Sequence, residues 1–190
     1  MDGGGALMNQ AVHYVDLLRW VMGPVREVTA ICLTQDHQIE VEDVALALVR
    51  FTSGAVGIIE ASTAVFPGLP ERLEITGTGG TVIVEAGQLR LRELVEEHDA
   101  APGRKEKGEA RSAGAAAGVG SAGAATGAGD PSAVRWAAHA AQIADFLSSL
   151  GSGRAPLVTG AEGRAALEIV LSVYESARQG APVTLPSGNS

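Results

Sequence analysis

The clearest pattern of apolar and polar positions lies at the start of the chain, in residues 5–22. Asn9, His13 and Asp16 fall on one side of a helix, because 3.6 residues complete one turn. The opposite side carries apolar residues at helical spacing: Leu7, Ala11, Val15, Leu18 and Met22. The pattern predicts a helix that buries one face, displays a histidine on the other and ends at the Gly-Pro pair that follows. Trp20, at the end of the polar side, is expected to join the core.

Runs rich in β-branched residues come next and predict strands at 25–33, 43–51, 55–64, 73–76, 81–85 and 88–94. The second and third runs are joined by Thr-Ser-Gly, which indicates an antiparallel hairpin. The second run is apolar on both faces, so we expect its sheet to be covered on both sides. Helices of this chain can cover one face, and the other face needs a second subunit or domain.

The composition changes between about residues 96 and 132, where Ala, Gly and Ser dominate. Such a segment has little apolar area to offset its ordering entropy, so we expect a flexible insert. Helical spacing returns at 134–150, with Gly151 as the predicted C-cap, and again from 159 or 160 to 178, where Thr159 and Glu162 have capping-box spacing. Residues 182–186 predict a last strand.

The order of elements predicts an α+β fold with one domain over residues 1–190. Its largely antiparallel open sheet carries helices on one face, and the other face is available for oligomer contacts.

The composition narrows the possible partners. The net charge is −8 and no basic run is present, which argues against nucleic acid. No apolar run reaches the roughly 18 residues of a membrane span.

The only cysteine, Cys32, rules out an internal disulfide framework and fits a cytoplasmic protein. Metal binding is not expected, because no His, Cys or carboxylate pair at ligand spacing has a convincing third member.

Several segments, in the same order along nearly the whole chain, resemble the C-terminal half of the Gfo/Idh/MocA family. They are GGGALMNQAVHYVDLLRWVMGPV, VEDVALALVRFTSGAVGIIEAS, LEITGTGGTVIVE, HAAQIADFL and GAEGRAALEIVLSVYESARQGAPVTLP. The resemblance implies part of an NAD(P)-dependent oxidoreductase acting on a sugar, an inositol or a related polyol. It also implies that this half supplies the substrate pocket and an open sheet for homo-oligomer contacts, while an N-terminal Rossmann domain binds NAD or NADP.

The cofactor-binding residues are therefore expected outside this chain. The run Gly77-Thr78-Gly79-Gly80 lies between two predicted strands with no helix after it, which is typical of a tight turn and not of a phosphate loop. We expect the chain to be the back half of a two-domain enzyme.

By the same resemblance His13 occupies the catalytic histidine position, and Asn9 and Asp16 are predicted to contact substrate. Histidine suits proton transfer because its ordinary pKa lies near neutrality. Many family members carry an aspartate where this chain has Asn9, and an amide forms hydrogen bonds but supplies no negative charge.

An alternative reading assigns no catalysis to the chain. In that reading it is a stand-alone binding or dimerisation module derived from the same domain, and its apolar sheet is the functional surface.

Overall fold

The computed structural model describes residues 4–95 and 136–186, and side chains of the second range from His139 onward. A π-helical turn, Leu7–Ala11, leads directly into the first helix. The elements are α1 (Val12–Met22), β1 (Val25–Leu33), β2 (Val44–Phe51), β3 (Val56–Ser62), β4 (Arg72–Gly77), β5 (Gly80–Glu85), β6 (Gln88–Leu94), α2 (Trp136–Ser152), α3 (Gly160–Gln179) and β7 (Val183–Thr184). These elements fall into two compact units, of which one holds β4–β6 and the other holds the rest.

The larger unit is built on an antiparallel sheet with the strand order β3-β2-β1-β7. Burial alternates along β2, so one face of the sheet lies in the core and the other faces outward. On the inner face, Ala30 lies opposite Ala47 and Ala45 lies opposite Ala61, and all four are buried. These short side chains leave room for α3, which packs on β1 and on α1.

The core of this unit lies between the inner face of the sheet and two helical elements, α3 and the segment that leads into α1. Its largest fully buried apolar side chains are Leu7, Val28, Phe51, Val170 and Val173. Burying side chains of this size contributes roughly 1.5–3 kcal/mol each, so this cluster is the main source of stability for the unit.

Helix α3 begins with the predicted capping box. The Glu162 N–H donates to the Thr159 hydroxyl at 3.4 Å, and the Glu162 carboxylate accepts from the Thr159 N–H at 2.7 Å. Near the other end, the buried Ser176 hydroxyl accepts from the Ala30 N–H at 3.0 Å and donates to the Ala181 carbonyl at 2.7 Å. These bonds fix the last turns of α3 against β1.

The smaller unit is a three-stranded antiparallel meander with the strand order β4-β5-β6, formed by the strands predicted at 73–76, 81–85 and 88–94. Gly77 pairs with Gly80 across the turn that joins β4 to β5, so the Gly-rich run is a hairpin turn, as predicted. Gly80 has φ +133°, and a Cβ at this position would lie 2.1 Å from the Glu93 carbonyl oxygen. Both the backbone angle and the close approach of β6 require glycine here.

The α+β fold with helices on one face of an antiparallel sheet is confirmed, and the predicted strands all form within a few residues of their expected bounds. Two predictions are wrong. Helix α2 continues through Gly151 to Ser152, and Gly153 takes the left-handed conformation with φ +70°. Trp20 is 73% exposed, because it lies on the outward side of α1 that its own spacing indicated.

The predicted Ala/Gly-rich insert at 96–132 lies outside the described residues. Across residues 4–95 and 136–186, no helix is both long enough and apolar enough to cross a membrane.

Candidate functional site

The first helical segment carries the three predicted site residues. Leu7 and Val15 are buried on its inner side, while Asn9 and His13 are exposed and Asp16 is half-buried on the outer side. The helix enters through a π-helical turn that contains Asn9. Such turns widen the backbone locally and often occur at functional sites. The structure thus brings Asn9 and His13 onto the same exposed stretch of helix.

The Asn9 side chain has a fixed orientation. Its amide nitrogen donates to the Gly4 carbonyl oxygen at 2.7 Å, and its backbone N–H donates to the Gly5 carbonyl oxygen at 3.0 Å. The side-chain nitrogen is therefore turned toward the start of the chain. This arrangement leaves the side-chain carbonyl oxygen as the group with which Asn9 can accept a hydrogen bond from a ligand.

The His13 imidazole is open to solvent. Among the described residues, the structure records no hydrogen bond or ion pair between His13 and Asp16, so the carboxylate does not orient the ring. The ring nitrogens of His13 are accessible to a ligand from solvent.

The described residues do not fit a nicotinamide dinucleotide. A pyrophosphate site needs a Gly-rich turn between a strand and a helix N-terminus, and the run from Gly77 to Gly80 is instead a turn between two strands. Nor does the described part of the chain contain a group of three or more His, Cys, Asp or Glu side chains placed to hold a metal ion.

The outer face of the larger sheet is a second candidate surface, here called the open face. It consists of alternate residues of three strands: Thr29, Ile31, Leu33, Leu46, Leu48, Arg50, Val56, Ile58 and Glu60. Cross-strand pairing sets Leu48 between Thr29 and Ile58. Ile31, Leu48 and Ile58 are 58%, 61% and 73% exposed, and they line a shallow apolar groove. Large exposed apolar patches on other proteins are often interaction surfaces, which makes the open face a candidate.

Two adjacent carboxylates just before β2, Glu42 and Asp43, were not singled out from the sequence. Asp43 is fully buried and accepts hydrogen bonds from the backbone N–H groups of Gln35, Asp36 and His37. These bonds, with a contact to the His37 ring at 3.2 Å, hold the pKa of Asp43 well below its usual range. Asp43 therefore orders the loop between β1 and β2.

Glu42, the other carboxylate, faces the N-terminal segment. Its side chain accepts from the Leu7 N–H and from the Tyr174 hydroxyl, and its backbone carbonyl accepts from the Ala6 N–H. A pair of acidic residues ahead of an apolar strand was the only available signal in the sequence, because these partners lie far away along the chain.

Cys32 is half-buried on β1. Burial, and then the nearby Glu42 carboxylate, raise its pKa to about 11, so the thiol is protonated near neutral pH. This environment is that of a structural cysteine.

Comparison with known proteins finds a family match for the first part of the chain. Residues 1–83 match the family model described as the GFO/IDH/MocA C-terminal domain. The chain is 32% identical over 87 residues to myo-inositol 2-dehydrogenase of Thermotoga maritima, an overlap that covers 43% of this chain and 26% of that protein. It is 35% identical over 80 residues to D-apiose dehydrogenase of Rhizobium rhizogenes, covering 40% of this chain and 23% of that protein.

A solved structure extends the likeness over nearly the whole chain. The WlbA dehydrogenase from Bordetella pertussis, in complex with NADH and UDP-GlcNAcA, superposes with a TM-score of 0.71 at 29% identity. The superposition covers 96% of this chain and 46% of that one. The chain thus spans about a quarter of the curated relatives and about half of this structural relative.

Proposed function

We propose that this chain belongs to the GFO/IDH/MocA family, whose C-terminal-domain model matches residues 1–83, and that it forms the substrate-binding part of an NAD(P)-dependent oxidoreductase. Its substrate is a sugar, an inositol or a related polyol. The proposal rests on relatives that are inositol and apiose dehydrogenases, and on a structural relative solved with NADH and a sugar nucleotide. The single cysteine, Cys32, fits the cytoplasmic location that we propose for this enzyme.

The observation that carries the proposal is the exposed pair Asn9 and His13 on one helix. We assign His13 to proton transfer, because an imidazole nitrogen accepts the proton of a substrate hydroxyl during oxidation and returns it during reduction. The carbonyl oxygen of Asn9 accepts a hydrogen bond from a second hydroxyl, and Asp16 accepts one from a third. The three residues together orient a polyol.

The nicotinamide, where it is bound, accepts or supplies the hydride. NAD or NADP is held outside the described residues of this chain, since these offer no pyrophosphate site. The part we assign to this chain is to bind the polyol, to orient it and to move the hydroxyl proton.

The test joins this chain to a cofactor-binding partner. A chimera replaces the C-terminal half of the Thermotoga maritima relative with this chain, and NADH formation is followed with a panel of polyols. His13→Ala is expected to lower kcat by roughly 100-fold or more, the usual contribution of a general base. The matched control is His139→Ala, an exposed histidine on α2, which should leave the rate unchanged.

A binding measurement on the 190-residue chain complements the chimera. Saturation-transfer NMR should detect a polyol of the panel, and His13→Ala should weaken that signal. NADH titration of the chain alone should show no binding. Tight NADH binding by the chain alone, or polyol binding that His13→Ala leaves unchanged, would overturn the assignment.

We also propose that two copies of the chain associate through the open face. An exposed apolar sheet face suits an isologous twofold contact, in which the same residues of both copies are buried. Sedimentation equilibrium at micromolar concentration should give a dimer mass, and a monomer at all accessible concentrations would contradict the proposal.

The second candidate function is a non-catalytic dimerisation module, which the exposed apolar strip favours. The polyol-binding measurement and sedimentation equilibrium separate the two candidates. A module dimerises but binds no polyol through His13, whereas the enzyme part does both.

A further inference from the structure

The N-terminus of the site helix rests on a distant carboxylate. The first N–H groups of a helix have no partners within it, and Ala6, at the N-cap position, provides no side-chain cap. Glu42, 35 residues further along the chain, takes over this function. Its backbone carbonyl accepts from the Ala6 N–H at 3.1 Å, and its Oε1 accepts from the Leu7 N–H at 2.9 Å. A negative charge at this end also suits the helix dipole.

A tyrosine of α3 completes the arrangement. The Tyr174 hydroxyl donates to the same Oε1 of Glu42 at 2.9 Å. Burial, and then this carboxylate, raise the pKa of Tyr174 well above its usual range, so the phenol keeps its proton. The carboxylate oxygen therefore joins two elements, α3 through Tyr174 and the site helix through Leu7.

The glycines before the helix allow this close approach. A Cβ on Gly5 would lie 2.0 Å from the Glu42 carbonyl oxygen and 2.2 Å from its Oε2. A Cβ on Gly4 would lie 2.5 Å from the Met8 Cβ. No other residue fits at Gly5 without moving Glu42, so the close packing of these two residues requires glycine there.

The clamped segment also determines the orientation of Asn9. Both hydrogen bonds that orient Asn9 end on the carbonyl oxygens of Gly4 and Gly5, which precede the residues held by Glu42. His13 follows one turn later on the same helix. A shift of this segment therefore displaces Asn9 directly and His13 through the helix.

We propose that Glu42 and Tyr174 are positioning residues, a clamp that holds the Gly4–Leu7 segment and thereby sets the place of Asn9 and His13. The physical clamp is a property of this chain, and its meaning for a reaction rests on the function proposed above. Neither residue touches the substrate in this proposal. They act through the backbone that carries the polyol-binding side chains.

The test uses the 190-residue chain labelled with ¹⁵N, and two readouts that need no substrate. Amide hydrogen exchange reports the Ala6, Leu7 and Asn9 N–H groups, and NMR reports the side-chain signals of Asn9 and the ring signals of His13. Glu42→Ala should speed exchange at the Leu7 amide by about 10- to 100-fold, the effect of losing a hydrogen bond to a charged group. The Ala6 and Asn9 N–H groups donate to backbone carbonyl oxygens that the substitution keeps, so their exchange should speed up less. The substitution should also shift the Asn9 and His13 side-chain signals.

Two further variants should change the rate of amide exchange by smaller amounts. Glu42→Gln keeps an oxygen for the Leu7 N–H and the Tyr174 hydroxyl, so it should restore most of the protection that Glu42→Ala removes. Tyr174→Phe removes one neutral donor and should speed exchange about 3- to 10-fold. Because Tyr174→Phe is mild, it decides the matter if Glu42→Ala does not fold.

Ser176→Ala is the matched control. It removes buried hydrogen bonds from the same helix, α3, but these bonds hold Ala30 and Ala181 and not the site helix. It should destabilise the chain without a selective effect on Asn9 and His13. The inference is wrong if Ser176→Ala and Tyr174→Phe give the same pattern, or if Tyr174→Phe leaves the Asn9 and His13 signals unchanged.

These outcomes are distinct from those of the proposed function. If the clamp variants move the Asn9 and His13 signals but no polyol binds, the clamp stands and the proposed function fails. If a polyol binds through His13 and Tyr174→Phe changes neither its affinity nor the two signals, the clamp fails and the proposed function stands.

Discussion

Leu48 lies in the middle of the open face, between Thr29 of β1 and Ile58 of β3, and its truncation tests directly whether a second copy covers that face. The side chain is 61% exposed in the single chain. Leu48→Ala therefore removes little from the core of the protomer. We expect the unfolding free energy of the chain at low concentration to change by no more than about 0.5 kcal/mol, as is usual for surface substitutions.

The effect on association is expected to be much larger. Full burial of a leucine contributes roughly 1.5–3 kcal/mol, so burying the exposed 61% of Leu48 contributes about 1–2 kcal/mol per copy. A twofold interface buries the residue in both copies, which gives about 2–4 kcal/mol. At about 1.4 kcal/mol per factor of ten, Leu48→Ala should raise the dissociation constant of the dimer about 30- to 700-fold.

The assay is sedimentation equilibrium of both proteins across a range of concentrations. Leu171→Ala is the matched control, because Leu171 is 56% exposed but lies on α3, away from the open face. The reasoning is refuted if Leu48→Ala dimerises as tightly as the parent chain. Equal weakening by the two variants would also refute it, since that result indicates non-specific association.

Two further predictions concern local structure. Thr159→Ala should lower the unfolding free energy by about 1 kcal/mol in urea titration, because it removes the hydroxyl of the capping box; an unchanged midpoint would mean that α3 needs no cap. Asp43 has a folded-state pKa below its unfolded value of about 3.9, so its stabilising effect is full above that pH and is lost as the pH falls below it. Asp43→Asn should therefore be less stable than the parent chain at pH 7, and the difference should shrink between pH 5 and pH 3; a difference that does not depend on pH would contradict the assignment.

The elements could be predicted from the sequence where the signal is local. The hairpin of β2 and β3 follows from two β-branched runs around a Thr-Ser-Gly turn, and the capping box follows from the spacing of Thr159 and Glu162. The exposed side of the first helix also follows from its period. Trp20 shows the limit of judging by residue type, because its position on the polar side correctly indicated exposure while its hydrophobicity suggested burial.

The site was only partly predictable, because its support is not local. His13 and Asn9 are visible in the sequence as polar groups at helical spacing. The π-helical turn that contains Asn9 has no signature of its own in the sequence, and Glu42 lies 35 residues from Leu7 and 132 from Tyr174. Contacts over such separations are fixed by the packing of α3 and the sheet, which no local pattern specifies.

Glu42 and Asp43 are neighbours just before β2, and their side chains contact different segments of the chain. The Glu42 carboxylate contacts the N-terminal segment, and the Asp43 carboxylate contacts residues 35–37 of the β1–β2 loop. Each satisfies backbone N–H groups that would otherwise be left without partners. One dipeptide thus fixes both the helix that carries His13 and the loop before β2. We therefore expect substitutions of Glu42 to change the NMR signals of Asn9 and His13, and substitutions of Asp43 to change those of residues 35–37. Each substitution should leave the other set of signals nearly unchanged.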